Sequence, residues 1–447
     1  MQKLHPPRPD VMTDTLKPSR FNIISGLKDN SNYVILNLLS GNADIISAEE
    51  LKALEQPNNP ATATFKKRGY LTDPEKEIIS YRMAYMDFLE ERDKEEVQLF
   101  FIPTYACNLN CSYCYQAPYL SGSSVPDEKV TGAFFDFSEQ LFSGRRKYVT
   151  LFGGEPLLPG KRHREFLSAF TEQCAASNTD IALVTNGYHL DDYLELLSKA
   201  SIREIQLTLD GPERIHNKRR PHKDGSETFS RISSALDRCL QMGLRVNLRM
   251  VVDRENLDYL PEFARYAIEK GWTASPYFKT QLGRNYELHH CHSEPGRIYS
   301  RISMYEELYH LIKKHPEILE FHKPAFSVSR FLKDKGTLPP PLFDACPACK
   351  SEWAFDYKGV IYPCTATVGK PGEELGRFFP ELQLNEEKIR QWQYRDVRAI
   401  NECRDCALQM ACGGGCGAVA LNSEGSILKP DCRPVKELTG LGISLYF

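Results

Sequence analysis

The placement of the cysteines constrains this chain more than any other feature. Fourteen occur in 447 residues, and eleven of them fall into tight groups. Cys107, Cys111 and Cys114 form the first group, and Cys346, Cys349 and Cys364 the second. Cys403, Cys406, Cys412, Cys416 and Cys432 form the third. Clustered thiols in a chain with no secretory pattern read as metal sites before disulfides. Cys174, Cys239 and Cys291 stand alone and read as inert. Cys239 lies on the apolar stripe of a helical pattern, where a free thiol acts as a small hydrophobe.

The rest of the composition limits the partners. A formal net charge of −3, with no long run of Lys and Arg, leaves no electrostatic footprint for nucleic acid. No apolar run approaches the length that crosses a bilayer, so no membrane association is expected. The first ten residues are polar and proline-rich and lack a signal-peptide core, so a cytoplasmic location is expected.

Three regions follow along the chain. Residues 1–97 read as a small α+β domain. A strand at Tyr33–Leu39 and a turn at Ser40–Asn42 lead to a returning strand at Ala43–Ile46. Ser47 and Glu50 then form a capping-box pattern, and a longer helix is expected near Glu75–Arg92. Residues 98–330 alternate strand, loop and helix. Strands are expected at 97–104, 147–152, 180–185, 204–209, 245–252 and 276–281. This implies an α/β fold with a parallel sheet wrapped by helices, a partial (β/α)6 TIM-like barrel. Chemistry in such folds gathers at the C-terminal ends of the strands. A linker over 331–345, stiffened by Thr337–Pro341, leads to a cysteine-rich C-terminal domain at 346–447.

The first cysteine group, within YACNLNCSYCY (Tyr105–Tyr115), follows the first strand directly. Three thiolates can hold three corners of a cubane [4Fe–4S] cluster and leave the fourth iron free for a ligand. A structural zinc site, the competing reading, wants four closed ligands, and no fourth Cys or His lies nearby.

This CxxxCxxC, with aromatic Tyr113 before its last cysteine, resembles the hallmark of the radical S-adenosylmethionine (SAM) superfamily. In that family SAM chelates the open iron and is cleaved to a 5′-deoxyadenosyl radical, which takes a hydrogen atom from substrate. The resemblance implies that Gly153, Gly154 and Glu155, closing the second strand, contact the cofactor's amino group. It also points to Asn186 and Thr208 at later strand ends, and to Arg220 as a carboxylate partner. Tyr113 is counted with this cofactor set. Polar strand-end turns are the competing reading for Asn186 and Thr208. His216 and Arg219 could shape the same pocket, with His216 equally readable as a structural hydrogen-bonder.

The later cysteines resemble the SPASM pattern of a subset of that superfamily. Cys349 is followed by Gly359 and Cys364, then by Cys403-x2-Cys406-x5-Cys412-x3-Cys416, and finally by Cys432. By position, the resemblance implies one auxiliary [4Fe–4S] cluster on Cys346, Cys349, Cys364 and Cys416. A second would sit on Cys403, Cys406, Cys412 and Cys432, giving three clusters in all. Cys346 lies closer to Cys349 than the pattern expects, so its place as a ligand stays open, and paired zinc sites remain the alternative.

Enzymes of this kind mostly act on peptides or proteins. The first reading is maturation of a ribosomally made precursor peptide by oxidative cross-linking or a related change, with electrons from a reductant such as flavodoxin or ferredoxin. The second is formylglycine formation, as in anaerobic sulfatase-maturating enzymes. Those carry a catalytic Asp after the YPC at Tyr362–Cys364, where this chain has Thr365, which cannot serve as a carboxylate base. The third is a metal- or SAM-binding protein without turnover. The N-terminal domain could hold a leader peptide by adding it to a sheet edge. His289, His290, Cys291 and His292 read as a loop that could bind metal. No catalytic acid or base emerges from the sequence.

Overall fold

The structure is a computed structural model that describes residues 16–56, 59–119, 125–285 and 296–447. The HHCH run at 289–292 lies outside the described residues.

The N-terminal region folds around a three-stranded antiparallel sheet of β1 (Ile23–Gly26), β2 (Tyr33–Asn37) and β3 (Asn42–Ile46). The expected hairpin is β2–β3. Strand β1 was not expected, because four residues with a single buried alternation carry too little pattern to register. The Ser47 hydroxyl accepts from the Glu50 amide at 3.2 Å and the Glu50 carboxylate accepts from the Ser47 amide at 2.8 Å, closing the capping box. The long helix is α1 (Pro74–Lys94), capped by Asp73 and opened by a proline whose missing N–H costs nothing there.

The main sheet is built on six parallel strands: β4 (Val97–Ile102), β5 (Lys147–Leu151), β6 (Asp180–Val184), β7 (Ile202–Thr208), β8 (Val246–Val252) and β9 (Phe278–Arg284). They lie in sequential order, each joined to the next through a helix-bearing connection. Alternate side chains explain the layering. Val246, Leu248, Met250 and Val252 of β8 pack outward into the apolar layer beneath the helices, with Ile232, Leu236 and Phe263. Asn247 and Arg249 face the other way. Cys174 and Cys239 are fully buried in the outer layer, where burial pushes both thiols up to about 12.

The sheet does not end at β4. Strand β10 (Glu352–Asp356) pairs in parallel with β4, Glu352 opposite Gln98, and β11 (Val360–Tyr362), β12 (Gly376–Arg377) and β13 (Gln383–Leu384) extend it antiparallel. The C-terminal cysteine segments therefore hang from the same sheet as the first cysteine loop. Residues Ser329–Lys335, at the start of the expected linker, are helical.

Candidate active site

Cys107, Cys111 and Cys114 lie on the loop that leaves the C-terminal end of β4. That loop is not held by its own turns alone. The amides of Asn110 and Ser112 donate to the carbonyls of Pro221 and Arg219, both at 2.9 Å, and Lys223 N donates to Asn108 O at 2.8 Å. The loop is thus laced to the segment following β7.

The three thiols lie near enough to act on one another's charge. Burial pushes Cys107 and Cys111 up to about 11 and raises Cys114. Each of the three is raised further by one of the others: Cys107 by Cys111, Cys111 by Cys114, and Cys114 by Cys107. One cation opposes this, because the guanidinium of Arg220 favours the thiolate at all three positions. Three thiols on one loop beside a buried cation suit an anionic iron–sulfur cluster that leaves one iron free.

Arg220 is fixed by a relay that the cysteine motif alone does not reveal. Its Nη1 donates to the Tyr113 hydroxyl at 2.6 Å, and that hydroxyl donates to Asp210 Oδ2 at 2.5 Å. Asp210 is fully buried; its other oxygen accepts from Val251 N at 2.9 Å, and its own amide donates to His216 Nδ1 at 3.1 Å. His216 Nε2 faces the Thr228 hydroxyl at 3.1 Å, which donates to Arg220 O at 2.8 Å. Burial holds His216 well below its usual range, so it stays neutral and supports the segment that carries Arg220. The neighbouring Arg219 pairs with Asp253 at 2.7 Å, with Glu255 at 3.1 Å, and more distantly with Asp210 at 3.4 Å.

The glycines after β5 bring the second loop against the first. A Cβ on Gly154 would stand 2.1 Å from Ala106 O, and one on Gly153 (φ 134°) 2.7 Å from Thr104 O. Only glycine permits that approach. Glu155 then turns inward and is buried. Its carboxylate accepts from the Thr185 hydroxyl at 2.6 Å, Leu157 N at 2.9 Å and Asn186 N at 2.7 Å. Asn186 Nδ2 donates to Asn108 Oδ1 at 2.7 Å and stands 3.8 Å from Cys107 Sγ. Gly153, Gly154, Glu155, Asn186, Tyr113 and Arg220 are thus gathered around the first cysteine loop. Thr208 lies on the inner face of the sheet, where a 480 Å³ cavity is lined by Gln98, Thr150, Thr208, Arg249 and, from the C-terminal region, Thr365.

The remaining thiols fall into two sets. Cys364 is raised by burial and, among its charged neighbours, by Cys346 and Cys416; Cys349 is likewise raised by burial and by Cys346. Cys403 is pushed up to about 11 by burial and by Cys412, Cys406 and Cys432. Among the described residues, no group of three or more Cys, His, Asp or Glu side chains is arranged to hold a metal ion. The thiols of each set influence one another without closing on a single-ion cage. Arg395, which sequence reasoning missed, organises the loops between the sets. It is fully buried and donates to the carbonyls of Gly414, Gly415 and Ile427. No described helix is long and apolar enough to cross a membrane.

Residues 101–267 match the Radical SAM superfamily profile. A GTP 3′,8-cyclase of Nautilia profundicola is 31% identical over 185 residues, which cover 39% of this chain and 55% of that protein. The chain thus spans only about half the length of that relative. A cysteine-type anaerobic sulfatase-maturating enzyme of Clostridium perfringens is 23% identical over 368 residues, 74% of this chain and 92% of that enzyme. Among solved structures, anSMEcpe with bound AdoMet superposes with a TM-score of 0.60 at 21% identity, over 78% of this chain and 97% of its own. SuiB of Streptococcus suis bound to precursor peptide SuiA superposes with a TM-score of 0.52 at 16% identity, over 94% of this chain and 99% of its own.

Proposed function

The chain carries a radical SAM domain over residues 101–267, and from that premise we propose that it is a peptide maturase. In this reading S-adenosylmethionine binds beside a [4Fe–4S] cluster on Cys107, Cys111 and Cys114, and a ribosomally made peptide is oxidised in the cavity on the inner sheet face. The cluster and S-adenosylmethionine, when bound, would supply an electron and a carbon radical able to take hydrogen from an unactivated C–H bond.

The chain's own groups have defined tasks. Gly153 and Gly154 let the loop after β5 close on the cysteine loop. Arg220, held by Tyr113 and Asp210, puts a fixed positive charge beside the thiolates and is available to a cofactor carboxylate. The sheet wall would help to keep water from a reactive species formed there. The two further thiol sets would each hold a closed [4Fe–4S] cluster able to carry away the electron that an oxidation releases, while a reductant such as a flavodoxin or ferredoxin would supply the electron that starts the reaction.

The observation that carries the peptide reading is the N-terminal region. SuiB, crystallised with its precursor peptide, matches 94% of this chain, whereas anSMEcpe matches 78%. In that region β3 pairs only with β2 among the described residues, so beyond the Ala43 carbonyl, which accepts from Arg68 Nη2 at 3.0 Å, its outer edge offers a place to add a strand. On α1, Ile79, Met83 and Met86 form an exposed apolar stripe at i, i+4 and i+7. Position 365, where a sulfatase-type enzyme would need its carboxylate, is a threonine on the cavity wall, which supports ranking formylglycine formation second.

The test is anaerobic reconstitution followed by incubation with S-adenosylmethionine, a reductant and precursor peptides encoded beside this protein. We expect 5′-deoxyadenosine together with a peptide lighter by hydrogen. Release of 5′-deoxyadenosine only with a Cys- or Ser-bearing sulfatase peptide would favour formylglycine formation, and any release of 5′-deoxyadenosine would exclude a binding protein without turnover.

A further inference from the structure

The inner face of the parallel sheet carries several charges, and nearly all are matched. Glu204 pairs with Lys279 and accepts from Asn247 Nδ2 at 2.9 Å. Arg203 pairs with Glu96 at 2.6 Å. The third cation lining the 480 Å³ cavity is Arg249, and its buried Nε bonds to nothing among the described residues.

Its position is specific. On β8, Arg249 lies opposite Thr208 of β7 and Gln281 of β9. Its guanidinium, however, rests over Gly283, two residues further toward the strands' C-terminal ends, where an added Cβ would meet Nη2 at 3.0 Å and Nε at 3.1 Å. The absence of a side chain at Gly283 makes room for the guanidinium, which leans toward the end of the sheet that bears the cysteine loop. A guanidinium with a buried, unused N–H is costly unless a ligand completes it, and its fork geometry matches a carboxylate. Two carboxylates could come there, one from the cofactor and one from the substrate. In the reading proposed above the cofactor's carboxylate goes to Arg220, held on the Tyr113 hydroxyl beside the first cysteine loop, which leaves the substrate's for Arg249.

We propose that Arg249 is a specificity residue that receives the carboxylate of an acidic side chain of the substrate peptide in the cavity next to Thr208. This rests on the peptide reading above. It predicts a substrate that presents an acid close to the position where hydrogen is removed, set in register by a two-pronged contact.

The experiment uses the reconstituted full-length protein with S-adenosylmethionine. It is mixed with short synthetic peptides, blocked at both ends, that carry Glu or Gln at one fixed position among randomised neighbours, and retained peptides are identified by mass spectrometry. The wild-type protein should enrich Glu over Gln by about tenfold, the scale of a buried charge-assisted contact. Arg249→Gln should erase that preference and Arg249→Lys should keep part of it, while both still bind S-adenosylmethionine in equilibrium dialysis and melt near the wild-type temperature. Equal retention of Glu and Gln peptides by the wild type overturns the assignment and leaves the peptide reading standing. So does an Arg249→Gln protein that keeps its acidic preference but loses S-adenosylmethionine, which would give Arg249 to the cofactor. Retention of neither peptide defeats the peptide reading itself, and the assignment with it.

Discussion

At the scale of single residues, the site is made by groups that orient one another. Glu155 shows this best. Three donors converge on its carboxylate, the Thr185 hydroxyl and the amides of Leu157 and Asn186, and burial raises its pKa. The carboxylate therefore fixes the ends of β5 and β6 relative to each other before any ligand arrives. Glu155→Gln keeps the shape but points an NH2 at donors, so at least one buried N–H or O–H loses its acceptor. We expect a loss of about 1–3 kcal/mol in stability, read by denaturant unfolding of the metal-free protein. If Glu155 served only to contact the cofactor, unfolding would be unchanged and only S-adenosylmethionine binding would weaken. Tyr113, Asp210 and Arg220 follow the same logic: a phenol passes the position of a buried carboxylate on to a cation beside the thiols.

At the scale of elements, the ends of strands are pinned by side chains from distant helices, and one of these pins titrates. His322 follows the short helix Ile318–Phe321. Its Nδ1 lies 3.0 Å from the Thr280 hydroxyl of β9, which itself donates to Phe321 O at 2.8 Å. Burial, with Arg330 nearby, lowers its pKa from 6.5 to about 4. The unfolded chain takes up this proton as pH falls through 6.5, whereas the folded chain resists it down to about 4. The neutral histidine's full contribution is therefore present above 6.5 and drains away between 6.5 and 4. Between pH ~7 and ~5 the loss should be about 2 kcal/mol, and His322→Gln should flatten that part of the stability curve. A variant with the wild-type slope would refute the assignment. Elements of this kind also show what the sequence makes legible. Strands such as Asp180–Val184 and Val246–Val252 stand out as short apolar runs between helical periods, and the CxxxCxxC loop is local by construction. The pairing of β10 with β4, the small strand β1, and the hold of Arg395 on three distant carbonyls have no local pattern. They are set by tertiary packing between segments far apart in the chain.

At the scale of the whole molecule, one sheet joins the first cysteine loop to the C-terminal thiols. Strand β10 begins three residues after Cys349 and runs beside β4, whose end carries Cys107, and Tyr105 of that loop donates to Asp356 of β10 at 2.8 Å. Cys346, Cys349 and Cys364 flank β10 and β11, so their spacing from the first loop is set by the sheet. The set containing Cys403, Cys406, Cys412 and Cys432 is instead tied through Arg395 and through Arg301, whose Nη2 reaches Asp431 at 2.7 Å. If the three thiol sets hold separate clusters, they should fail separately. Anaerobically reconstituted wild-type protein should carry about twelve irons, and Cys403→Ser about eight, as expected when one four-iron cluster is lost. Cys403→Ser should still release 5′-deoxyadenosine from S-adenosylmethionine under strong chemical reduction, because the first loop is untouched, yet fail to complete peptide oxidation. Cys111→Ser should also fall to about eight irons but release no 5′-deoxyadenosine. Iron analysis with a parallel zinc determination decides the matter. About two zincs in the wild type, with iron only at the first loop, would turn the C-terminal thiols into structural zinc sites and remove them from the electron path, while the first loop kept its role.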